Sequence, residues 1–291
     1  MPAGYGRMGE VTATARQAPV APRAGAGWVE RIVRSPGRFC AATLAITTLG
    51  LLLDRYADLS QQTLLGLATW FFLLVAFLYL TPQERAQTTV VVVVATMAEV
   101  LGSVIWGIYD YRLGNLPLFV PPGHALVYLT GLRFSQTAWV REHRRLFIGL
   151  VVAAIASWAI LGLILLGRSD VAGAVGAAVL LLFLWRGRAP LVYAGVFVAV
   201  AYLEIYGTLL GTWRWAEHIP LLAVPDGNPP SGAASGYVLF DIAALSLAPA
   251  VLAAAAAARR TRPIAWIERV MGRFGRPPPA SGQDLPLTDQ S

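Results

Sequence analysis

The stretch Glu99-Val-Leu-Gly-Ser-Val-Ile-Trp-Gly-Ile-Tyr-Asp-Tyr111 closes a long apolar run, and a related stretch returns as Glu204-Ile-Tyr-Gly-Thr-Leu-Leu-Gly-Thr-Trp-Arg-Trp215. The likeness continues into the loops. Asn115-Leu-Pro-Leu-Phe-Val-Pro-Pro-Gly-His124 answers His218-Ile-Pro-Leu-Leu-Ala-Val-Pro-Asp-Gly-Asn228. Allowing single-residue gaps, the identical pairs are Glu99/Glu204, Gly102/Gly207, Gly107/Gly211, Pro117/Pro220, Leu118/Leu221, Val120/Val224, Pro121/Pro225 and Gly123/Gly227. Tyr109 and Tyr111 correspond to Trp213 and Trp215. An apolar chain matches Leu and Val by chance, but not a glutamate within a span followed by glycines and prolines in the same order. The pattern is that of an internal duplication.

Composition places both copies in a membrane. Hydrophobic residues make up 56% of the 291 and charged residues 13%, against roughly 25% charged in a soluble domain, and the mean hydropathy is +0.59. A span needs about 20 mostly apolar residues to cross a core about 30 Å thick. On that rule helices are expected near 38–53, 63–80, 87–109, 118–132, 146–167, 171–185, 189–211 and 235–258. The first, fourth and sixth are short, so counts of seven or nine stay open. The expected fold is an all-α integral membrane protein of about eight transmembrane helices, built as a parallel 4+4 internal duplication. An even number of spans per copy leaves both copies in the same orientation. Residues 38–135 form the first repeat and 136–258 the second. They are flanked by a cytoplasmic tail at 1–37 with a short interfacial helix, and by another at 259–291.

All 23 cations are arginine and give a net charge of +7. In a membrane chain such an excess sets topology, so nucleic acid is not an expected partner. Eight spans put nineteen arginines on one side and only Arg55, Arg112, Arg168 and Arg214 on the other. Both termini are then cytoplasmic in a multi-pass protein of the plasma membrane. The first apolar run starts only near residue 38, which does not fit a cleaved signal peptide. Trp28, Val29, Ile32 and Val33 share one helical face, as do Trp266, Ile267, Val270, Met271 and Phe274, and each set is opposed by arginines as in interfacial helices. Residues 1–26 and 277–291 are expected to be free tails. Cys40 is the lone cysteine and there are three histidines, so no internal disulfide, metal site or cofactor is expected.

Ionisable residues within spans are costly and usually have a task. Glu99, Glu204 and, in the last span, Asp241 are the candidate catalytic acids. Helical spacing puts Glu99, Gly102, Ser103, Trp106 and Asp110 on one face, and Glu204, Gly207, Thr208, Gly211 and Trp215 on another. Trp106, Tyr109, His124, Tyr128, Trp213, Trp215 and Tyr237 are the candidate substrate-binding residues. They suggest an apolar cavity walled by aromatic rings and holding two or three acids. Simpler roles are available to each: the glutamates as interhelical hydrogen-bonding groups, the aromatics as an interfacial belt, the glycines as packing positions, and His124 as a helix cap.

A Glu-x-x-Gly segment in a span, followed by Gly-x-aromatic-x-aromatic and a proline-containing loop, and present twice, resembles the membrane carotenoid hydratases of the bacterioruberin pathway. It is also similar to the heterodimeric-type lycopene cyclases and membrane terpenoid cyclases. The resemblance spans residues 99–128 and 204–241. It implies that intramembrane acids protonate an olefin, with Glu99 and Glu204 as acid and base, and that water or ring closure quenches the cation. The Val120-Pro-Pro-Gly-His124 segment and the long loop 212–234 depart from that pattern. The Pro-Pro-Gly-His segment also resembles an actinobacterial membrane family of unassigned function.

Three functions fit these residues: an enzyme of isoprenoid or carotenoid-like lipid chemistry, a proton-coupled transporter of a lipid or small molecule, and a non-catalytic membrane scaffold. An Asp-rich prenyl-diphosphate motif, a phosphate-binding glycine loop and a Gly-x-Ser-x-Gly motif are all missing from the sequence.

Overall fold

The computed structural model of the chain describes Gly25, residues 27–165 and residues 167–260, the last two by their backbone only. The tails outside these residues, and the helix expected over Trp266–Phe274, lie outside the described residues. Contacts divide the chain into two units, Met1–Pro249 and Ala250–Ser291. Apart from the end of the last helix, from Ala250 onward, everything described below belongs to the first.

Short helix α1 (Trp28–Arg34) leaves Trp28 exposed and buries Val33, with Arg34 paired to Glu30 at 3.1 Å. Then follow α2 (Pro36–Asp54), α3 (Leu59–Tyr79), α4 (Pro82–Glu99, continued by a π-helical turn over Val100–Ile105), α5 (Val120–Ser135), α6 (Ala138–Glu142), α7 (Arg144–Ile164), α8 (Val171–Arg186), α9 (Pro190–Leu210) and α10 (Ala233–Arg260). Local chemistry explains several starts. Asp58 with Gln61, and Thr81 with Glu84, form reciprocal capping boxes, each satisfying two backbone N–H groups that a helix start leaves without partners. Pro36, Pro82 and Pro190 occupy the first helical position, where their missing N–H costs nothing.

Six of these helices are long and apolar enough to cross a membrane: α2, α3, α4 with its π-turn, α7, α9 and α10. The chain is a multi-pass, largely helical membrane protein. α8 is apolar but shorter. α5, which carries His124 and Arg133, is neither long nor strongly apolar, and eleven of its sixteen residues are buried. It packs against α2, α3, α4 and α9, so its polar groups meet protein instead of lipid.

The loops interlock at one end of the bundle. Arg112 donates to the carbonyls of Asp54 and, at 2.7 Å, Ala57. Arg168 donates to the carbonyls of Asp226, Trp215 and Ala216. The Asp170 carboxylate accepts from the backbone N–H groups of Gly227 (2.9 Å) and Ser231 (2.8 Å). At the other end the α3–α4 connection meets α5 through the buried ion pair of Glu84 and Arg133.

Short strands within the loop end correct one expectation. Helical faces do not run from Glu99 to Asp110 or from Glu204 to Trp215. α4 widens into its π-turn and stops, and α9 stops at Leu210. Gly107 (φ +70°) and Gly211 (φ +73°) turn the chain in the left-handed region that other residues avoid. β1 (Tyr109–Tyr111) then pairs antiparallel with β2 (Trp213–Trp215), matching Tyr109 with Trp215, Asp110 with Arg214 and Tyr111 with Trp213. A second hairpin joins β3 (His218–Ile219) to β4 (Val224–Pro225).

Candidate functional site

Each glutamate is held by the strand that follows its own helix. The hydroxyls of Tyr109 and Tyr111 both donate to Glu99 Oε2 at 2.8 Å, and His124 Nε2 lies 2.7 Å from Glu99 Oε1. The indole N–H groups of Trp213 and Trp215 donate to Glu204 Oε2 at 2.9 and 3.0 Å. A strand projects alternate side chains to one face, so the first and third residues of each three-residue strand reach the same carboxyl while Asp110 and Arg214 point outward, exposed. The two aromatic pairs also meet across the ribbon, with ring centroids 4.7 Å apart for Tyr109 and Trp215 and 6.3 Å for Tyr111 and Trp213.

Both glutamates are buried and line one cavity of about 590 Å³, a size within the roughly 300–1,000 Å³ of small-molecule sites. Its polar end is formed by Glu99, Glu204, His124, Tyr237 and the four strand aromatics, and its other walls are apolar residues of α2 and α3, among them Leu49, Leu53, Leu65 and Phe72. Arginine is absent from the lining. The His124 ring packs against Tyr237 and Phe240, at 4.8 and 5.5 Å.

Donor and acceptor rules constrain the protons. An indole nitrogen only donates, so Glu204 Oε2 must accept, and a proton on Glu204 belongs on Oε1. His124 Nδ1 is buried without a hydrogen-bond partner among the described residues. A buried orphan acceptor is less costly than a buried orphan N–H donor, so of the two neutral His124 tautomers the contact favours the one with its proton on Nε2, donated to Glu99. Burial pushes the Tyr109 and Tyr111 phenols far above their ordinary range, and the neighbouring Glu99 charge adds to it. Both remain donors, so Glu99 sits in a cup of three donors.

Of the candidate residues, the structure brings Glu99, Glu204, Tyr109, His124, Trp213, Trp215 and Tyr237 to one cavity. Trp106, Tyr128 and Asp241 are elsewhere. Trp106 turns away and donates its indole N–H to the Pro220 carbonyl at 3.0 Å, because the π-turn shifts the helical register before that residue is reached. Tyr128 and Asp241 lie one helical turn beyond His124 and Tyr237. Both are buried, and the Tyr128 hydroxyl and Asp241 Oδ2 have no hydrogen-bond partner among the described residues. Tyr111 was not among the candidate residues, although the alternation Tyr-Asp-Tyr, like Trp-Arg-Trp, is the period-two signal of a strand. Among the described residues no three His, Cys, Asp or Glu side chains gather as a metal site. No family model, curated protein or solved structure matches this chain.

Proposed function

We propose that this chain is a membrane enzyme performing acid-catalysed hydration or cyclisation of an isoprenoid or carotenoid-like lipid, without a cofactor. The observation that carries the reading is the pair of buried glutamates lining one aromatic-walled cavity, each oriented by two ring donors. Glu204, carrying its proton on Oε1, is the acid. The π electrons of an alkene take that proton to form a C–H bond, leaving a cation on the neighbouring carbon and a carboxylate on Glu204. The faces of Trp213, Trp215 and Tyr237 stabilise the cation electrostatically. In hydration, water forms the new C–O bond and its proton passes to Glu99. In cyclisation, a second double bond of the substrate forms the C–C bond and an adjacent carbon loses its proton to Glu99. A proton returned from Glu99 to Glu204 restores the resting enzyme. The apolar walls, free of arginine, suit a hydrocarbon chain better than a charged head group.

The same proposal includes eight spans in the plasma membrane, both termini in the cytoplasm, and a 4+4 duplication over residues 38–135 and 136–258. Its support is local. Gly107 and Gly211, which correspond in the two copies, share the left-handed conformation. Each glutamate is bound by the aromatics of its own copy, and the loops expected outside are those tied together by Arg112, Arg168 and Asp170.

The test is lipid and pigment profiling of a deletion strain complemented with Glu99→Gln or Glu204→Gln. An amide is cheaper to bury than a charge, so both variants should be produced and folded. Conversion should fall by about 100-fold or more, the scale of general acid–base catalysis. Full complementation by both would make the glutamates hydrogen-bonding groups only and remove the chemical reading.

A further inference from the structure

Between β3 and β4 the chain turns through Pro220, Leu221, Leu222 and Ala223, four apolar residues with no side-chain hydrogen-bonding group. Leu221 is 96% exposed, and Leu222 is exposed beside it. Backbone φ is +69° at Leu221 and +54° at Ala223, a region that turns in water ordinarily fill with Gly, Asn or Asp. The polar residues of the hairpin stand at its base, where Arg214 and Glu217 pair at 3.6 Å and His218 is exposed.

Height along the bundle is set by one hydrogen bond. The Trp106 indole donates to the Pro220 carbonyl, and Trp106 follows Ile105, the last residue of the membrane-length segment Pro82–Ile105. Leu101, Val104 and Ile105 are exposed on that helix end. The hairpin tip therefore sits beside the end of a membrane-length helix, and exposed apolar residues stand on both. A half-exposed tryptophan at the junction is what the bilayer interface favours.

We infer that the tip Pro220–Ala223 inserts into the interface of the leaflet at the loop end, with its leucines among acyl chains and Arg214 and Glu217 in the head-group layer. The partner is lipid, not another protein. The inference rests on the membrane reading of the helices and is independent of the proposed chemistry. The hairpin begins three residues after β2, so insertion moors the ribbon that carries Trp213 and Trp215 to the bilayer surface.

The experiment places a nitroxide at Leu221→Cys or Leu222→Cys in a Cys40→Ala background, with the full chain in dioleoylphosphatidylcholine vesicles. Glu217→Cys and the lipid-exposed Leu209→Cys serve as references. Collisions with oxygen, which partitions into lipid, are compared with collisions with a water-soluble nickel chelate. Insertion predicts that labels at both tip positions favour oxygen, as at Leu209, while the label at Glu217 favours nickel. A tip that favours nickel stands in water and overturns the inference. A tip closed to both reagents is covered by a second copy or another protein and overturns it equally. Two tip positions guard against one substitution disturbing the turn, and a melting curve matching the background variant shows that each labelled chain is folded.

Discussion

Glu99 and Glu204 occupy corresponding positions in the sequence, yet their donors make them chemically different residues. Phenols and an imidazole can pass protons on, whereas indoles at neutral pH only donate. Glu99 is thereby surrounded by groups able to relay protons and Glu204 by fixed donors, which gives Trp213 and Trp215 an orienting role that Phe could not fill. A second buried acid cluster, in the loops, yields a pH prediction. Burial, with the Asp170 carboxylate nearby, pushes Asp226 from 3.8 up to about 7. A raised folded-state value means that the folded protein holds the proton more tightly than the unfolded chain. The associated stability is complete below the unfolded value and is lost as pH rises through the folded one. Thermal melting in detergent should therefore show the midpoint of the wild type falling between about pH 4 and about pH 7 relative to Asp226→Asn. A constant difference between the two proteins across that range would refute the assignment.

At the scale of elements, the helices are readable because apolar length is a strong signal: a helix stands at each expected position, and six of the eight are long and apolar enough to cross a membrane. The ends are not. Helical periodicity does not reach the aromatics that follow Glu99 and Glu204, since a left-handed glycine and a strand, and in the first case also a π-turn, intervene; it therefore points Trp106 into the cavity and passes over Tyr111. Asp241 and Tyr128 stand out as polar residues in apolar runs, a pattern that cannot tell a cavity wall from a buried layer one turn away. The repeated Glu-x-x-Gly acquires a reason from the ribbon, since the glycine leaves room for the ring that binds the glutamate three residues earlier. At Gly207 an added Cβ would run into the Trp213 indole, while at Gly102 it would lie 3.4 Å from the Tyr109 hydroxyl. Gly207→Ala should destabilise the protein by about 1–3 kcal/mol, the usual range for overpacking, and shift the emission of Trp213, with Gly102→Ala the milder change. Thermal melting and fluorescence of both variants decide it, and equal effects would contradict the geometry.

For the whole molecule, topology is the exposed claim. Cysteine accessibility or reporter fusions should place residues 133–145 in the cytoplasm and residues 212–234 outside. Finding both on one side would remove the eight-span arrangement and the parallel duplication together. The β1–β2 register bears on how such a molecule could arise. Corresponding residues exchange partners about a central pair, Asp110 opposite Arg214, which is the self-complementary pattern of a two-fold symmetric dimer. An ancestral half-length chain would have needed only a second copy of itself to close the same ribbon, with its central residue facing its own twin. Asp opposite Arg is a pairing that no such homodimer can make, because its two-fold axis sets identical residues opposite each other, where like charges are unfavourable while unlike charges are favoured. Had the halves begun as separate chains, opposite charges at the centre would bias each half towards its fused neighbour and against the matching half of a second molecule, so joining them would bring specificity as well as proximity.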